Sequence, residues 1–202
     1  MTHSVKHIGI MGGTFDPIHL GHLVAAESAR EAAALDEVWF MPANVPPHKP
    51  HQPIASPEQR LHMTQLAISD YEPFQVSAWE MERGGVSYTL DTVNALQAQY
   101  PQVEWYWIIG GDMVAYLPKW HGIDELMTKI KFIGLQRPGA KWDVSLLPVQ
   151  WQARVVEAHM PLMDISSTEI RRRMAQGRSI RYLVPEAVEQ YAQRWGLYEN
   201  ES

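Results

Sequence analysis

The stretch GIMGGTFDPIHLGH, residues 9–22, decides how the rest of the chain is read. A short apolar run feeds two adjacent glycines and then a turn, which is the layout of a phosphate loop at the mouth of a strand. The two common versions of that loop both fail at their required positions. There is no G-x-G-x-x-G, and no glycine is followed by Lys-Ser or Lys-Thr. Where those loops place glycine or lysine, this stretch places Thr14, His19 and His22. Gly12 and Gly13 let the backbone turn tightly and approach a ligand closely, and Gly21 keeps a side chain out of the space between the two histidines. Spaced i and i+3, His19 and His22 point the same way from a first helical turn.

Outward from this stretch, apolar runs of strand length alternate with helix-period segments, as a parallel sheet with crossover helices requires. Strands are expected near 6–11, 37–41, 74–78, 103–109 and 131–135, with a shorter one near 160–163. Helices are expected over about 21–34, after SPEQ, and from SYT to about Tyr100. In SPEQ, Ser56 caps, Pro57 suits the first turn and Gln59 completes a capping box. The expected fold is therefore α/β: a Rossmann-like open parallel sheet flanked by helices, in a single domain over 1–202 with a small helical C-terminal portion from about 164. Residues 12–22 then lie at the carboxyl end of a strand, where open α/β sheets bind their ligands. The segment PANVPPHKPHQP, 42–53, has five prolines and no apolar period, and a loop of that length is expected to serve a function.

Composition narrows the chemistry. A net charge of −6 argues against general nucleic-acid binding, which needs a basic surface. With no cysteine, disulfides, thiolate nucleophiles and Cys-containing metal sites are excluded, so any metal would be held by oxygen or imidazole. No apolar run approaches the roughly 20 residues that span a bilayer, and no secretory leader is expected, which makes the cytoplasm the default location and a membrane partner unexpected.

Three readings of His19 and His22 stand side by side. Zinc would want a third protein ligand and a carboxylate base, and no such set accompanies them. A pair of structural histidines at a helix start is the plain alternative. The third reading is anion binding, in which imidazole N–H donors act beside a helix N-terminus. A second segment, DISSTEIRRRM at 164–174, also reads as a helix start. Ser166 and Glu169 have capping-box spacing, and Ile165 and Ile170 the spacing of a hydrophobic staple. Its backbone N–H groups, the hydroxyls of Ser167 and Thr168 and the guanidinium of Arg171 would form an anion cradle, although Arg171, Arg172 and Arg173 could equally be a solvated face. Two cradles in one chain suit a polyphosphate.

Together the two segments resemble the signatures of the nucleotidyltransferase superfamily: His19-Leu20-Gly21-His22 its (T/H)-x-G-H element, and ISSTEIR its I-S-S-T-x-I-R element. PPHK (46–49), GGVSYTLDT (84–92), IIGGDM (108–113), LPKW (117–120) and RPG (137–139) are similar in particular to the bacterial nicotinate-nucleotide adenylyltransferases. The resemblance implies adenylyl transfer from ATP to nicotinate mononucleotide, giving deamido-NAD and pyrophosphate. Mg2+ would be bound mainly through the ATP phosphates, with no protein residue assigned to it and its direct protein ligands left open. His19, His22 and Arg171 would be catalytic. ATP would be bound by these and by Gly12, Gly13, Thr14, Phe15, Gly111, Asp112, Ile165, Ser166, Ser167 and Thr168. The mononucleotide would be bound by Asn44, His48, Lys49, Ser87, Tyr88, Thr89 and Trp120. Competing readings give Asp112 and Thr89 simple helix-capping roles and Trp120 a place in the core. The rivals are another adenylyltransferase, such as the phosphopantetheine enzyme, a class I aminoacyl-tRNA synthetase, or a nucleotide-sensing module without turnover. No nucleic-acid or membrane partner is expected, and the oligomeric state, a homo-oligomer included, is left open.

Overall fold

The computed structural model describes residues 5–44, 53–84, 88–136 and 143–199. Along the chain these form β1 (Lys6–Gly13), α1 (Leu20–Ala32), β2 (Glu37–Pro42), α2 (Pro57–Ile68), β3 (Phe74–Val76) and α3 (Trp79–Arg83). There follow α4 (Thr89–Gln99), β4 (Val103–Gly110), α5 (Gly111–Val114), α6 (Ile123–Lys129), β5 (Lys131–Gln136), α7 (Val149–Gln152), β6 (Val155–His159), α8 (Ser167–Ala175) and α9 (Glu186–Arg194). The strands form one six-stranded sheet in the order β3-β2-β1-β4-β5-β6, an α/β arrangement of the Rossmann type. No helix among the described residues is long and apolar enough to cross a membrane.

The chain divides into two compact units. The first comprises 1–11, 25–39 and 87–162. Within it β1 pairs parallel with β4 from Lys6↔Val103 to Ile10↔Trp107, β4 with β5 from Tyr106↔Lys131 to Gly110↔Leu135, and β5 with β6 from Phe132↔Val155 to Gln136↔His159. Consecutive residues of β4 and β5 are buried, because a parallel strand covered on both faces has no solvent side. A Cβ at Gly9 would lie 2.6 Å from Leu35 Cδ1 and 3.0 Å from Ile108 Cδ1, so a larger residue there would make these side chains shift. At the start of the strands Glu104 accepts from Lys131 at 2.9 Å and from the Tyr106 hydroxyl at 3.1 Å. The Lys131 partner holds the Glu104 carboxyl below its ordinary range.

The second unit comprises 12–24, 40–86 and 163–202. Its helix α2 opens with the expected capping box: Gln59 N donates to Ser56 Oγ at 3.3 Å, and Ser56 N donates to Gln59 Oε1 at 2.8 Å. Helix α9 packs on α2, with the Tyr191 ring 4.8 Å from that of His62 and with Val188 and Ala192 fully buried. The C-terminal helices are thus part of this unit's core.

Several boundaries differ from expectation. The last strand is Val155–His159 rather than 160–163, because VVEAH supplies the β-branched pair that joins β5, whereas Pro161 has no N–H for a ladder. Strand β3 stops at Val76, and β1 runs on through Gly13. Helix α1 begins at Leu20 and ends at Ala32; the exit is made by Ala34 in the left-handed region (φ 48°), with Leu35 N donating to Arg30 O at 2.9 Å. Neither competing cap is formed. Gly110 precedes α5, with Asp112 inside its first turn, and Tyr88, not Thr89, occupies the N-cap of α4.

The capping box makes a direct stability prediction. Ser56→Ala should cost about 1 kcal/mol, the usual value of an N-cap, and lower Tm by roughly 2–4 °C for a chain of this size. Thermal unfolding of the purified protein reads it, and an unchanged Tm would contradict the structural role given to the box.

Candidate active site

Residues 13–22 make a turn whose shape is set by one buried ring. Phe15 takes φ 50°, a left-handed conformation that costs a non-glycine residue about 1–2 kcal/mol. Burial offsets this: the ring is 2% exposed, 5.8 Å from Phe40 and edge-on to His22 at 5.1 Å. It also lies over Gly13, where a Cβ would come within 2.7 Å of it. The next peptide, Asp16–Pro17, is cis.

After this turn α1 begins, anchored by Leu20 N donating to Leu183 O at 3.0 Å. His19 and His22 stack, with centroids 3.7 Å apart and planes 22° from parallel. The His19 backbone N–H donates to His22 Nδ1 at 3.2 Å. With Nδ1 accepting, the neutral ring carries its hydrogen on Nε2, which makes that atom a donor. A Cβ at Gly21 would lie 3.0 Å from His19 Nδ1, so glycine leaves room for that ring.

Beneath the turn sits Asp16, 4% exposed. Its carboxylate accepts from Ile54 N at 2.9 Å, Ala55 N at 3.1 Å and the Tyr198 hydroxyl at 2.8 Å. Burial, with the Asp16 charge next, pushes the Tyr198 phenol far above its ordinary range, so it stays a donor. Arg171 Nη1 donates to the Asp16 carbonyl at 2.9 Å and lies 3.9 Å from its carboxylate, and Ser167 Oγ donates to Pro17 O at 2.9 Å. The two sequence segments, some 150 residues apart, therefore meet within one unit. Arg60, fully buried, donates from Nη1 to Thr14 O at 2.7 Å and to Ala43 O at 2.8 Å, and from Nη2 to Asn44 O at 3.2 Å.

Ser166 caps α8 by accepting from Glu169 N at 3.2 Å. The expected reciprocal bond is replaced, because the Glu169 carboxylate pairs with Arg172 at 2.7 Å, a cation one turn further along the helix. Thr168 is exposed, and Ile165 and Ser166 border a cavity of about 440 Å³ in this unit. Gly12 is exposed at the end of β1.

In the other unit, Gly111 is buried and Asp112 exposed at the end of β4. Tyr88 is exposed, its ring 5.0 Å from that of His121. Trp120 is half-buried, edge-on to the core residue Phe132 at 5.8 Å, and Thr89 is the first residue of α4. His48, Lys49 and Ser87 lie outside the described residues.

Among the described residues no group of three or more His, Asp or Glu side chains is gathered to hold a metal ion. Asp16, Arg60 and Tyr198 had no part in the sequence reading. Asp16 sits inside the opening motif and was within reach of it, but the other two carry no local signal, since their partners are distant in the chain.

The His19–His22 geometry makes Gly21→Ala informative. Alanine favours a helix over glycine by up to about 1 kcal/mol, yet its Cβ must displace the His19 ring. Long-range 1H–15N spectra should show the His19 ring nitrogens shifted while Tm holds or rises; an unchanged His19 in the folded variant would contradict the packing.

Comparison with known proteins points the same way. Residues 10–173 match the family model described as cytidylyltransferase-like. A protein of Halalkalibacterium halodurans named probable nicotinate-nucleotide adenylyltransferase is 50% identical over 98% of this chain and 94% of its own. One of the same name from Geobacillus kaustophilus is 46% identical over 95% of this chain and 85% of its own. Plasmodium falciparum nicotinic acid mononucleotide adenylyltransferase, solved in complex with NaAD, superposes with a TM-score of 0.79 over 97% of this chain and 98% of that one; at 20% identity it supports the fold. With the (T/H)-x-G-H and I-S-S-T-x-I-R elements meeting around Asp16, and relatives of this identity over nearly their whole length, the chain belongs to the cytidylyltransferase-like nucleotidyltransferases, in the nicotinate-nucleotide adenylyltransferase family.

Proposed function

We propose that the chain transfers the adenylyl group of ATP to nicotinate mononucleotide, forming deamido-NAD and pyrophosphate. The observation that carries this reading is the stacked His19–His22 pair, with an Nε2 donor on His22, at the start of α1. A phosphate oxygen of the mononucleotide attacks the α-phosphorus of ATP, a new P–O bond forms, and the bond to the bridging oxygen breaks to release pyrophosphate. The attacking oxygen is already ionised, so no general base is required. What remains is positioning and stabilisation of charge, the main levers in phosphoryl transfer.

In this scheme His19 and His22 hold phosphate oxygens and meet the charge that develops around the α-phosphorus. Thr14 adds a donor beside them. Arg171 and the α8 start, Ser166 to Thr168, act on the β- and γ-phosphates that leave together. Contacts of Gly12, Gly13, Phe15, Ile165, Gly111 and Asp112 with ATP, and of Asn44, His48, Lys49, Ser87, Tyr88, Thr89 and Trp120 with the mononucleotide, rest on the motif resemblance and are part of the proposal.

Mg2+ carried by the triphosphate would supply charge neutralisation. The described residues suit a metal that arrives this way: the site offers imidazoles, a guanidinium and backbone N–H groups, and the buried carboxylate of Asp16 is already committed to its protein donors.

The decisive test compares nicotinate and nicotinamide mononucleotides under saturating ATP and Mg2+, with pyrophosphate release as the readout. The acid should turn over faster by roughly 10- to 100-fold, the size expected when one charge-assisted hydrogen bond to the ring carboxylate is lost. Equal rates would refute recognition of that carboxylate. No release with either would refute adenylyl transfer and favour a nucleotide-sensing module.

A further inference from the structure

We infer that Arg60 is a positioning residue for the reaction: its guanidinium sets the phosphate turn at 14–16 in register with residues 43–44, where the chain leaves β2. It rests on the assignment of those two segments to ATP and mononucleotide made above. The side chain comes from the first turn of α2 and is fully buried. Its N–H groups reach the carbonyls of Thr14, Ala43 and Asn44, residues 46, 17 and 16 positions away, at 2.7, 2.8 and 3.2 Å. Ala43 N also donates to Gly13 O at 2.8 Å, so the two segments are joined directly, and Arg60 bridges the next residues on each side.

The choice of side chain argues for more than packing. Burial lowers the guanidinium's pKa from its ordinary value, with the Asp16 charge opposing. Its Nε–H meets no acceptor among the described residues. A buried cation held this way is a poor device for stability alone, since desolvation offsets much of what the pairing gains. It is, however, a rigid planar fork that fixes three carbonyls at set angles, which a flexible ammonium or an apolar side chain cannot do. Those carbonyls belong to Thr14, beside the proposed phosphate donors, and to Ala43 and Asn44, where the chain leaves β2. Leu20, which follows His19, is anchored separately, its N–H donating to Leu183 O.

This separation gives the test its form. Arg60→Lys and Arg60→Gln are purified alongside the unaltered protein, the folded fraction of each is measured, and kcat and both KM values are determined per folded molecule with ATP and nicotinate mononucleotide. The expected result is a kcat reduced by about 10-fold or more, the scale on which a small misplacement of reacting groups acts. KM for the mononucleotide should rise about 5-fold or more, and by more than KM for ATP, because the start of α1 beside His19 and His22 keeps its anchor on Leu183. A purely structural Arg60 would lower Tm and yield while leaving kcat and both KM values of the folded fraction unchanged, and that result would overturn the inference. Failure of both variants to fold would overturn it as well, by assigning Arg60 to folding. If the unaltered protein itself does not turn over nicotinate mononucleotide, it is the proposed reaction that fails; normal turnover by it, matched by both variants, defeats the role of Arg60 alone.

Discussion

The site depends on a buried carboxylate that must be satisfied. Asp16, in the turn before α1, is 4% exposed, where an unpaired charge would be prohibitively costly. It is met by two backbone N–H groups, from Ile54 and Ala55, by the hydroxyl of Tyr198, and by the nearby guanidinium of Arg171. These partners lie 38, 39, 182 and 155 residues away in the chain. Satisfying one side chain therefore draws together the opening turn, the entry to α2, helix α8 and the C-terminal segment. Hydrogen bonds to a charged group contribute about 1.5–3 kcal/mol each, enough to offset the left-handed Phe15 next to it.

In the proposed reaction histidines stand where phosphate loops use lysine, and this scaffold supports that reading. A lysine is a flexible point charge that finds its own place on a phosphate. An imidazole has two fixed directions, and it is useful only if its ring is held. Here His22 is held by the N–H of His19 on Nδ1, by the edge of Phe15 and by the stack with His19, and a side chain at residue 21 would press on the His19 ring. Positioning of this kind suits a reaction that needs no proton removed from its nucleophile. The donors must be aimed before the reaction starts, and they cost no reorganisation during it.

Much of the fold was legible because its signals are local. The Ser56–Gln59 box, the apolar run of β4 and the glycines before α1 each announce an element within a few residues. The histidine pair was legible for the same reason, since spacing on one helical turn fixes a shared direction. What escaped was set by partners, near or far in the chain, that the local pattern does not name. Glu169 abandoned its capping box for Arg172, the last strand fell on Val155–His159 because β5 was there to pair with it, and Asp112 and Thr89 proved not to be caps. Arg60 and Tyr198 were invisible, because an arginine in a helix and a tyrosine near a chain end look ordinary until their acceptors are placed.

The most direct measurement is turnover by Asp16→Asn, a change that keeps the shape and removes the charge. The amide can still accept on its oxygen, but its NH2 sets a donor against a donor where the carboxylate oxygen accepted. The folded variant should lose roughly 10- to 100-fold in kcat, the consequence of displacing the histidine turn and Arg171 by about 1 Å. Full turnover by folded Asp16→Asn would contradict the claim that this carboxylate organises the site.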